Sequence, residues 1–212
     1  MNAMAFSGIV LAGGYSSRMG KDKALLPIAG APSYVHVAKV LTHVAEDIWL
    51  VRRPDQAPIE TNEFVTGVVH DVRLGEGPMA GMEAGFARMK NSWGLVAPAD
   101  APMIRPSLLV KLTILVAEAG RSHEDIQAFI FKRGEQIYPL FGCYHQGVLK
   151  VIGELLDNGK RRVKDLLDQI HVRYVTECEW ISEDPNEVSF WMMNTQEEYQ
   201  KVRELLEGEF RE

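Results

Sequence analysis

A short apolar run that ends abruptly at two glycines constrains this chain more than any other feature. Residues 8–11 are apolar, and Ala12, Gly13 and Gly14 follow them directly. Such a run is typical of a buried strand, and consecutive glycines let the backbone turn sharply and approach a ligand closely. Pro32 then precedes apolar residues at helical spacing, namely Val37, Leu41 and Val44. The sequence therefore predicts a strand, a glycine-rich loop and a helix as its first unit.

The first half of the chain repeats this alternation of strands and helices. Residues 48–51, 65–69 and 94–97 are short apolar runs that predict strands. Residues 79–89 and the segment that begins at Pro106 carry apolar residues at helical spacing. Strands that alternate with helices imply a mainly parallel α/β sheet with helices on both faces. Ligands of such sheets bind at the carboxyl ends of the strands.

The second half of the chain follows a different pattern. Residues 128–131 and 137–141 flank a glycine-containing turn and predict an antiparallel hairpin, so we expect a mixed sheet. A helix is predicted over residues 148–156. Nothing in the composition marks a domain boundary, so we expect one domain over residues 1–212. The chain ends in an amphipathic helix with a predicted buried stripe of Tyr199, Val202, Leu205 and Leu206.

The charge balance limits the classes of ligand. The chain has 212 residues, with 23 Lys and Arg against 29 Asp and Glu and a formal net charge of −6. Nucleic acids and anionic membranes require a broad positive field, so we expect neither as a partner. No segment is apolar enough to span a membrane and no basic leader is present, so a cytoplasmic location is expected. A small anionic ligand must instead meet positive charge locally.

Positive charge of that kind lies in the glycine-rich loop. Arg18, Lys21 and Lys23 follow Gly13 and Gly14 closely. The N–H groups of the turn can converge on phosphate oxygens, a guanidinium can bind two such oxygens at once, and Lys23 adds a mobile point charge. The glycine spacing matches neither the Walker nor the dinucleotide pattern. A tight strand-to-helix connection is the simpler alternative, but the basic residues favour a phosphate-binding loop.

Two carboxylates follow predicted strands at the same edge of the sheet. Asp100 comes soon after residues 94–97, and Asp71 comes soon after residues 65–69. A carboxylate at the end of a strand suits Mg²⁺, which prefers oxygen ligands and retains waters and substrate phosphates. We therefore predict Asp100 as a magnesium ligand. Capping of the helix at Pro106 is the alternative for Asp100, and a turn-forming role is the alternative for Asp71.

Several motifs in a fixed order resemble one family. The pattern LAGG-x3-R-M-G-x-D-K of residues 11–23 is similar to the signature of nucleotidyltransferases, most closely of the molybdenum cofactor guanylyltransferase family. Three further segments also resemble that family: GPMAG in residues 77–81, PADAP in residues 98–102 and GKRRV in residues 159–163. Asn194 and Thr195 fall where the family has its last motif. The first pattern alone indicates only nucleotidyl transfer, whereas the ordered set is more specific.

The resemblance implies a fold, a reaction and a set of partners. The fold is the three-layer, Rossmann-like nucleotidyltransferase fold, and the reaction transfers GMP from GTP to molybdenum-bound molybdopterin and releases pyrophosphate, with Mg²⁺ as cofactor. Proteins that take over the finished cofactor are expected as further partners. The family often has Asn where this chain has Arg52 and Arg53 after Val51, so no contact to the base is assigned there. The family's contacts to GTP fall on Leu11, Ala12, Gly13, Lys23, Asp71 and Asp100.

The same residues give a compatible division of roles. Gly14 and Gly81 are added as GTP-binding residues, because glycines let the backbone approach the nucleotide; a plain helix entry is the alternative for Gly81. The attacking phosphate is already an anion, so no general base is needed. Arg18 and Lys23 would hold the triphosphate and stabilise the leaving pyrophosphate, the turn amides of residues 12–14 would assist, and Asp100 would bind the metal.

The acceptor side of the site is predicted from a second positive cluster. Arg161 and Arg162 belong to the densest run of basic residues in the chain, and Asn194 precedes the last helix. These residues would contact the pterin substrate. A solvated helix end is the alternative for the two arginines, and an N-cap is the alternative for Asn194.

Three other functions share part of these motifs. A relative that uses CTP on the same cofactor and an enzyme that activates a sugar phosphate would share the first motif. A non-catalytic nucleotide-binding partner protein would share only the loop. The later motifs favour the molybdopterin branch, and the combination of Arg18, Lys23 and Asp100 favours catalysis over binding alone.

Overall fold

A seven-stranded sheet organises the computed structural model, which describes residues 4–14, 22–73, 75–122 and 125–209. The strands are β1 (Phe6–Leu11), β2 (Pro27–Ile28), β3 (Ala31–Pro32), β4 (Asp47–Arg52), β5 (Gly67–His70), β6 (Trp93–Pro98), β7 (Ala128–Arg133), β8 (Gln136–His145) and β9 (Val172–Val175). The helices are α1 (Ser33–Leu41), α2 (Pro78–Phe86), α3 (Pro106–Ser122), α4 (Val148–Asp157), α5 (Val163–Leu167), α6 (Glu177–Trp180) and α7 (Gln196–Glu209).

The strands of the sheet lie in the order β5-β4-β1-β6-β8-β7-β9, and β2 pairs with β3 in a separate ribbon. Strand β1 is parallel to both β4 and β6, and β4 is parallel to β5. Strand β8 is antiparallel to β6 and to β7, which confirms the predicted hairpin and the mixed sheet. The carboxyl ends of β5, β4, β1 and β6 therefore meet at one edge.

Helices cover both faces of the sheet, as the alternation of elements predicts. Successive residues of a strand point to opposite faces. Val10 accordingly belongs to the core that includes Leu41 of α1 and Leu112 of α3, whereas Ile9 belongs to the core that includes Phe86 of α2 and Ile152 of α4. Together with the mixed, mostly parallel sheet, these two cores give the expected nucleotidyltransferase architecture.

A smaller core holds the C-terminal helix. Tyr199, Val202 and Leu206 of α7 are buried against the segment that includes Leu26 and Ile28. Leu205, predicted in the same buried stripe, is 40% exposed. Consecutive residues of a helix point about 100° apart, so the side chain beside Leu206 faces outward.

Two other sequence predictions differ from the observed bounds. Helix α2 ends at Phe86, so the predicted helix over residues 79–89 is too long at its carboxyl end. Helix α1 ends at Leu41, and Val44 lies in the turn that follows. Val44 and Met89 lie beyond the ends of these two helices but remain packed against the core. Their packing explains why the hydrophobic spacing still resembles that of a helix. No helix in the described ranges is both long and apolar enough to cross a membrane.

Candidate active site

A cavity of about 390 Å³ runs along the carboxyl edge of the sheet. It begins beside Asp71, which directly follows β5, and passes Arg53 after β4 and Gly13 after β1. It continues past Asp100 after β6 and ends beside Leu140 on β8. The sheet order thus brings together chain segments that are far apart in the sequence.

A second, smaller cavity of about 60 Å³ adjoins the first one. Both cavities are lined by Leu11, Gly14 and Asp100, and the smaller one also by Asp22 and Lys23. The larger cavity has room for the apolar body of a ligand, whereas the smaller one brings Gly14 together with the ammonium group of Lys23. A ligand with an apolar ring system and an anionic tail fits this pair of cavities.

Lys23 joins three distant parts of the chain at the smaller cavity. Its Nζ donates to Asp100 Oδ2 at 3.0 Å and to Asn194 Oδ1 at 2.7 Å. Lys23 begins a short 3-10 turn, where Asp22 Oδ1 accepts the N–H of Ala24 at 3.1 Å and fixes the start of the turn. Asp100 lies at the carboxyl end of β6, where the sequence predicts it. The sequence predicts both Lys23 and Asp100 at this edge, but it does not predict the bond between Lys23 and Asn194.

The structure also tests the simpler explanations for Asn194 and Asp100, in which each residue only caps a helix. Thr195, rather than Asn194, caps α7: Thr195 Oγ1 accepts the N–H of Glu198 at 3.2 Å, and Glu198 Oε2 accepts the N–H of Thr195 at 2.8 Å. The N-cap alternative for the Asn194 side chain is therefore wrong. The Asp100 carboxylate bonds to Lys23 and so has a partner other than α3.

Asp71 is an unusually placed carboxylate at the β5 end of the larger cavity. Its side chain is only 7% exposed, and Oδ1 receives no hydrogen bond within the described part of the chain. Burial raises the pKa of the Asp71 carboxyl above its ordinary value, and the nearby Arg53 guanidinium acts in the opposite direction. A buried acceptor without a donor is costly, so this position is suited to a ligand that donates hydrogen bonds.

The glycine-rich loop is held by its carbonyl groups. Arg53 Nη1 donates to Gly13 O at 2.9 Å and to Gly14 O at 3.1 Å, and Gln56 Nε2 donates to Ala12 O at 3.0 Å. The N–H of Ala12 donates to Val51 O at 2.8 Å. The expectation that the Ala12 amide binds phosphate is therefore wrong, because that amide already extends the ladder between β1 and β4.

The loop leaves room for a ligand at Gly13, which gives a first testable prediction. A Cβ at Gly13 would lie 3.4 Å from Arg53 Cγ and 3.6 Å from Asp71 Oδ2, which are ordinary contacts. We expect Gly13→Ala to fold normally but to raise the Kd for nucleotide by about tenfold, because the methyl group occupies space between the loop and Asp71. Thermal unfolding and titration calorimetry measure both effects. Gly208→Ala, where a methyl group meets nothing within 4 Å, is the control; equal nucleotide affinity of both variants would refute the prediction.

The remaining predicted residues lie in different surroundings. Gly81 on α2 lines the larger cavity, and a Cβ there would lie 3.2 Å from Leu11 Cδ2, so this glycine also lets α2 pack closely on β1. Arg161 makes a two-pronged ion pair with Glu76, at 2.6 and 2.8 Å, and is 57% exposed. Arg162 pairs with Asp165 and is 78% exposed. Arg18 lies outside the described residues.

The structure does not bring Arg161 and Arg162 to the Lys23–Asp100 pair. Within the described ranges, neither arginine lines either of the two cavities. Their partners are acidic residues close to them on the surface, which the sequence pattern of clustered positive charge does not reveal. The alternative that the two arginines form a solvated helix end agrees with these contacts.

Sequence reasoning missed three residues next to the glycine loop. Arg52, Arg53 and Gln56 all follow or end β4, and all contact the loop or Asp22. The only sequence signal was the pair of arginines directly after an apolar strand, at the edge where ligands bind. The sequence does not show that side chains in this segment hold the backbone of another loop.

Comparisons with known proteins agree on one family. Residues 8–173 match the family described as MobA-like NTP transferase domain. A probable molybdenum cofactor guanylyltransferase of Bacillus cytotoxicus is 32% identical over 198 residues, which cover 92% of this chain and 95% of that protein. A relative of the same name from a Geobacillus species is 32% identical over 204 residues, with 95% and 99% covered.

Solved structures support the fold. The crystal structure of molybdopterin-guanine dinucleotide biosynthesis protein A from Archaeoglobus fulgidus superposes with a TM-score of 0.77 and 21% identity, covering 94% of this chain and 97% of that one. A nucleotidyl transfer enzyme from Methanothermobacter superposes with a TM-score of 0.73 and 20% identity, covering 95% and 97%. At these identities the likeness confirms the fold class.

Proposed function

Because the chain belongs to the MobA-like NTP transferase family, we propose that it transfers GMP from GTP to molybdenum-bound molybdopterin. In this reaction an oxygen of the pterin's terminal phosphate attacks the α-phosphorus of GTP, and the bond between that phosphorus and the bridging oxygen breaks. The electron pair of the broken bond leaves with pyrophosphate. The relatives named molybdenum cofactor guanylyltransferase support this choice of substrates.

Asp71 is the observation that carries the assignment of guanine. Guanine presents two adjacent donors, N1–H and the N2 amino group, and a carboxylate can accept from both. Adenine, cytosine and uracil each present an acceptor next to a donor on the same edge, and a carboxylate repels such an acceptor. The Asp71 carboxylate has a buried oxygen without a donor among the described residues, and it can turn about its last torsion at low cost.

Lys23 and the glycine loop suit the triphosphate. With the base beside Asp71, the phosphates would extend past Gly13 and Gly14 toward the smaller cavity and Lys23. The Lys23 ammonium would neutralise charge on the leaving pyrophosphate. We propose the same task for Arg18, on the basis of its place in the loop sequence.

Asp100 suits Mg²⁺ at the point where the two cavities meet. The described residues contain no group of three or more His, Cys, Asp or Glu that could hold a metal by themselves. Mg²⁺ does not need such a group, since it is commonly bound by one or two carboxylates together with substrate phosphates and water. The Asp100 carboxylate therefore fits the ion. When bound, Mg²⁺ would neutralise charge that develops on the phosphate oxygens.

The other end of the larger cavity suits the pterin substrate. Leu140 and Met192 line that end and offer apolar contact. Asn194, two residues after Met192, is held by Lys23, which lines the smaller cavity. Asn194 lies in the segment just before α7, so the last part of the chain contributes a side chain to the site. We therefore propose that residues 1–212 act as one nucleotidyltransferase domain. For Arg161 and Arg162 we propose at most an outer contact, because both are committed to surface ion pairs.

The choice of nucleotide can be tested directly. We expect GTP with Mg²⁺ to raise the unfolding temperature more than ATP, CTP or UTP, because selective binding to the folded state stabilises it. Addition of molybdenum-bound molybdopterin should then release pyrophosphate. Greater stabilisation by CTP or UTP would refute the guanine assignment, and binding of GTP without release of pyrophosphate would refute the reaction.

Replacement of Asp71 with Asn tests the contact to the base. We expect the Kd for GTP to rise about tenfold or more, since a hydrogen bond to a charged group contributes about 1.5–3 kcal/mol. Inosine triphosphate lacks the N2 amino group, so wild type should prefer GTP over it and the variant should lose that preference. Calorimetric titration of both nucleotides measures this, with Asp125→Asn, at a carboxylate that is 88% exposed, as control.

The raised pKa of Asp71 adds a prediction about pH. The ionised carboxylate accepts from guanine, so GTP affinity should fall as the pH drops through the raised pKa of Asp71. The stability of the apo protein depends on pH in the opposite way. Because burial disfavours the ionised Asp71 carboxylate in the folded state, this residue lowers the free energy of unfolding at pH 7 but not in acid. Asp71→Asn should therefore raise the unfolding temperature of the apo protein at pH 7, and this gain should vanish in acid. A variant less stable than wild type at pH 7 would contradict the assigned environment.

A further inference from the structure

Three side chains at the end of β4 hold both flanks of the nucleotide-binding loop. We call Arg52, Arg53 and Gln56 the β4 clamp. Strand β4 pairs with β1 on one side and with β5 on the other, so its end is a fixed point of the sheet. The clamp extends from this fixed point to the loop.

Gln56 lies at the centre of the clamp. Its Oε1 accepts the N–H of Arg53 at 2.8 Å. Its Nε2 donates to Ala12 O at 3.0 Å, where the loop begins, and to Asp22 Oδ2 at 3.1 Å, where the loop ends. One amide group therefore connects the entry and the exit of the loop with the backbone after β4.

The two arginines strengthen each side of this connection. Arg53 Nη1 donates to the carbonyl groups of Gly13 and Gly14. Arg52 is 1% exposed, and its Nη2 donates to Asp22 Oδ2 at 2.9 Å and to Ala57 O at 3.1 Å. Asp22 lines the smaller cavity, so a buried guanidinium beside it also offsets a negative charge where phosphate is expected.

We propose that Gln56 and Arg53 are positioning residues that preorganise the loop for the triphosphate, and that Arg52 neutralises Asp22 for the same purpose. None of the three side chains has to touch the reacting atoms. Because residues 12–14 and Asp22 are held in place before the ligand binds, less conformational entropy is lost on binding, so the clamp raises affinity for the phosphates specifically. The proposal rests on the role proposed above for the loop in phosphate binding, and it does not depend on the identity of the base.

A comparison of GTP with guanosine separates positioning from general damage to the site. We expect Gln56→Leu to raise the Kd for GTP about tenfold and to change the Kd for guanosine by less than twofold, because guanosine has no phosphates. Hydrogen exchange of the backbone amides of residues 13 and 14 should become faster in the apo variant. Arg53→Lys keeps the positive charge but not the planar fork, and it should show a smaller change in the same direction.

The control is Asp125→Asn. Asp125 is 88% exposed, and its carboxylate pairs with His171 rather than with any residue of the clamp, so its replacement leaves the clamp and the loop intact. We expect its Kd values to stay within twofold of wild type. Circular dichroism and unfolding temperature establish that each variant is folded, and Arg53→Lys serves in place of Gln56→Leu if that variant does not fold.

The outcomes distinguish this proposal from the proposed function. Equal GTP affinity of Gln56→Leu and wild type would refute the clamp, and so would an equal loss for GTP and guanosine. A wild-type protein that binds no nucleoside triphosphate would refute the proposed function itself. If wild type binds another triphosphate more tightly than GTP, only the guanine assignment fails, and the same comparison is made with that triphosphate and its nucleoside.

Discussion

Replacement of Asp100 with Asn should lower kcat by about a thousandfold, or about 4 kcal/mol of transition-state stabilisation, while the protein stays folded. Asn has nearly the same size and keeps an oxygen that can accept from Lys23 Nζ, now 3.0 Å from Asp100 Oδ2. It lacks the negative charge that a hard divalent cation prefers in its ligand. The loss should therefore come from weaker metal binding and not from a rearranged Lys23.

Metal binding can be measured apart from turnover. Electron paramagnetic resonance of Mn²⁺ added to the GTP complex should show at least about tenfold weaker binding in Asp100→Asn than in wild type. Asp157→Asn, at a surface carboxylate that is 67% exposed, should behave like wild type. Activity and Mn²⁺ affinity close to wild type in Asp100→Asn would remove Asp100 from the metal site.

Replacement of Lys23 with Met should lower kcat/KM by about a hundredfold or more, because one preorganised cation at the phosphates is removed. Lys23→Arg should recover little of this loss, since a planar guanidinium does not reproduce the compact ammonium between Asp100 and Asn194. Lys150→Met, at a lysine that is 86% exposed on α4, is the matched control. Steady-state rates of pyrophosphate release at varied GTP concentration provide the measurement.

The same variant should bind metal differently when no nucleotide is present. The Lys23 ammonium bonds to Asp100 Oδ2 and therefore competes with a divalent cation for that oxygen. Lys23→Met should bind Mn²⁺ more tightly than wild type in the absence of GTP, although it is the poorer enzyme. Weaker Mn²⁺ binding by the variant would show that Lys23 does not compete for this carboxylate.

The order of strands and helices could be predicted because it depends on local patterns. Apolar runs that end in Gly13 or shortly before Asp100 mark strand ends, and parallel strands must place those ends at one edge of the sheet. The placement of Asp71 and Asp100 at the same edge follows from this rule, because each carboxylate comes soon after a parallel strand. Helix ends were less predictable, since Val44 stays packed on the core after α1 has ended.

Contacts between distant segments could not be predicted in the same way. Arg161 and Arg162 formed a conspicuous basic cluster, but Glu76 and Asp165 pair with them at the surface. Clustered charge in a sequence does not reveal where its partners lie. Among the described residues, Lys23 and Arg53 line the two cavities instead, and Arg52, the last residue of β4, bonds to Asp22 beside the smaller one.

The sequence by itself determined that a glycine-rich loop follows a buried strand and that two carboxylates share the edge of the sheet with it. Glycines, charge and hydrophobic spacing act over short distances, so they can be inferred from neighbouring residues. Only the tertiary structure decided that Asn194 bonds to Lys23, that Gln56 links both ends of the loop, and that one Asp71 oxygen is buried without a donor in the described chain. These features depend on the packing of segments far apart in the sequence, and the directions of their hydrogen bonds are set only when the sheet has assembled.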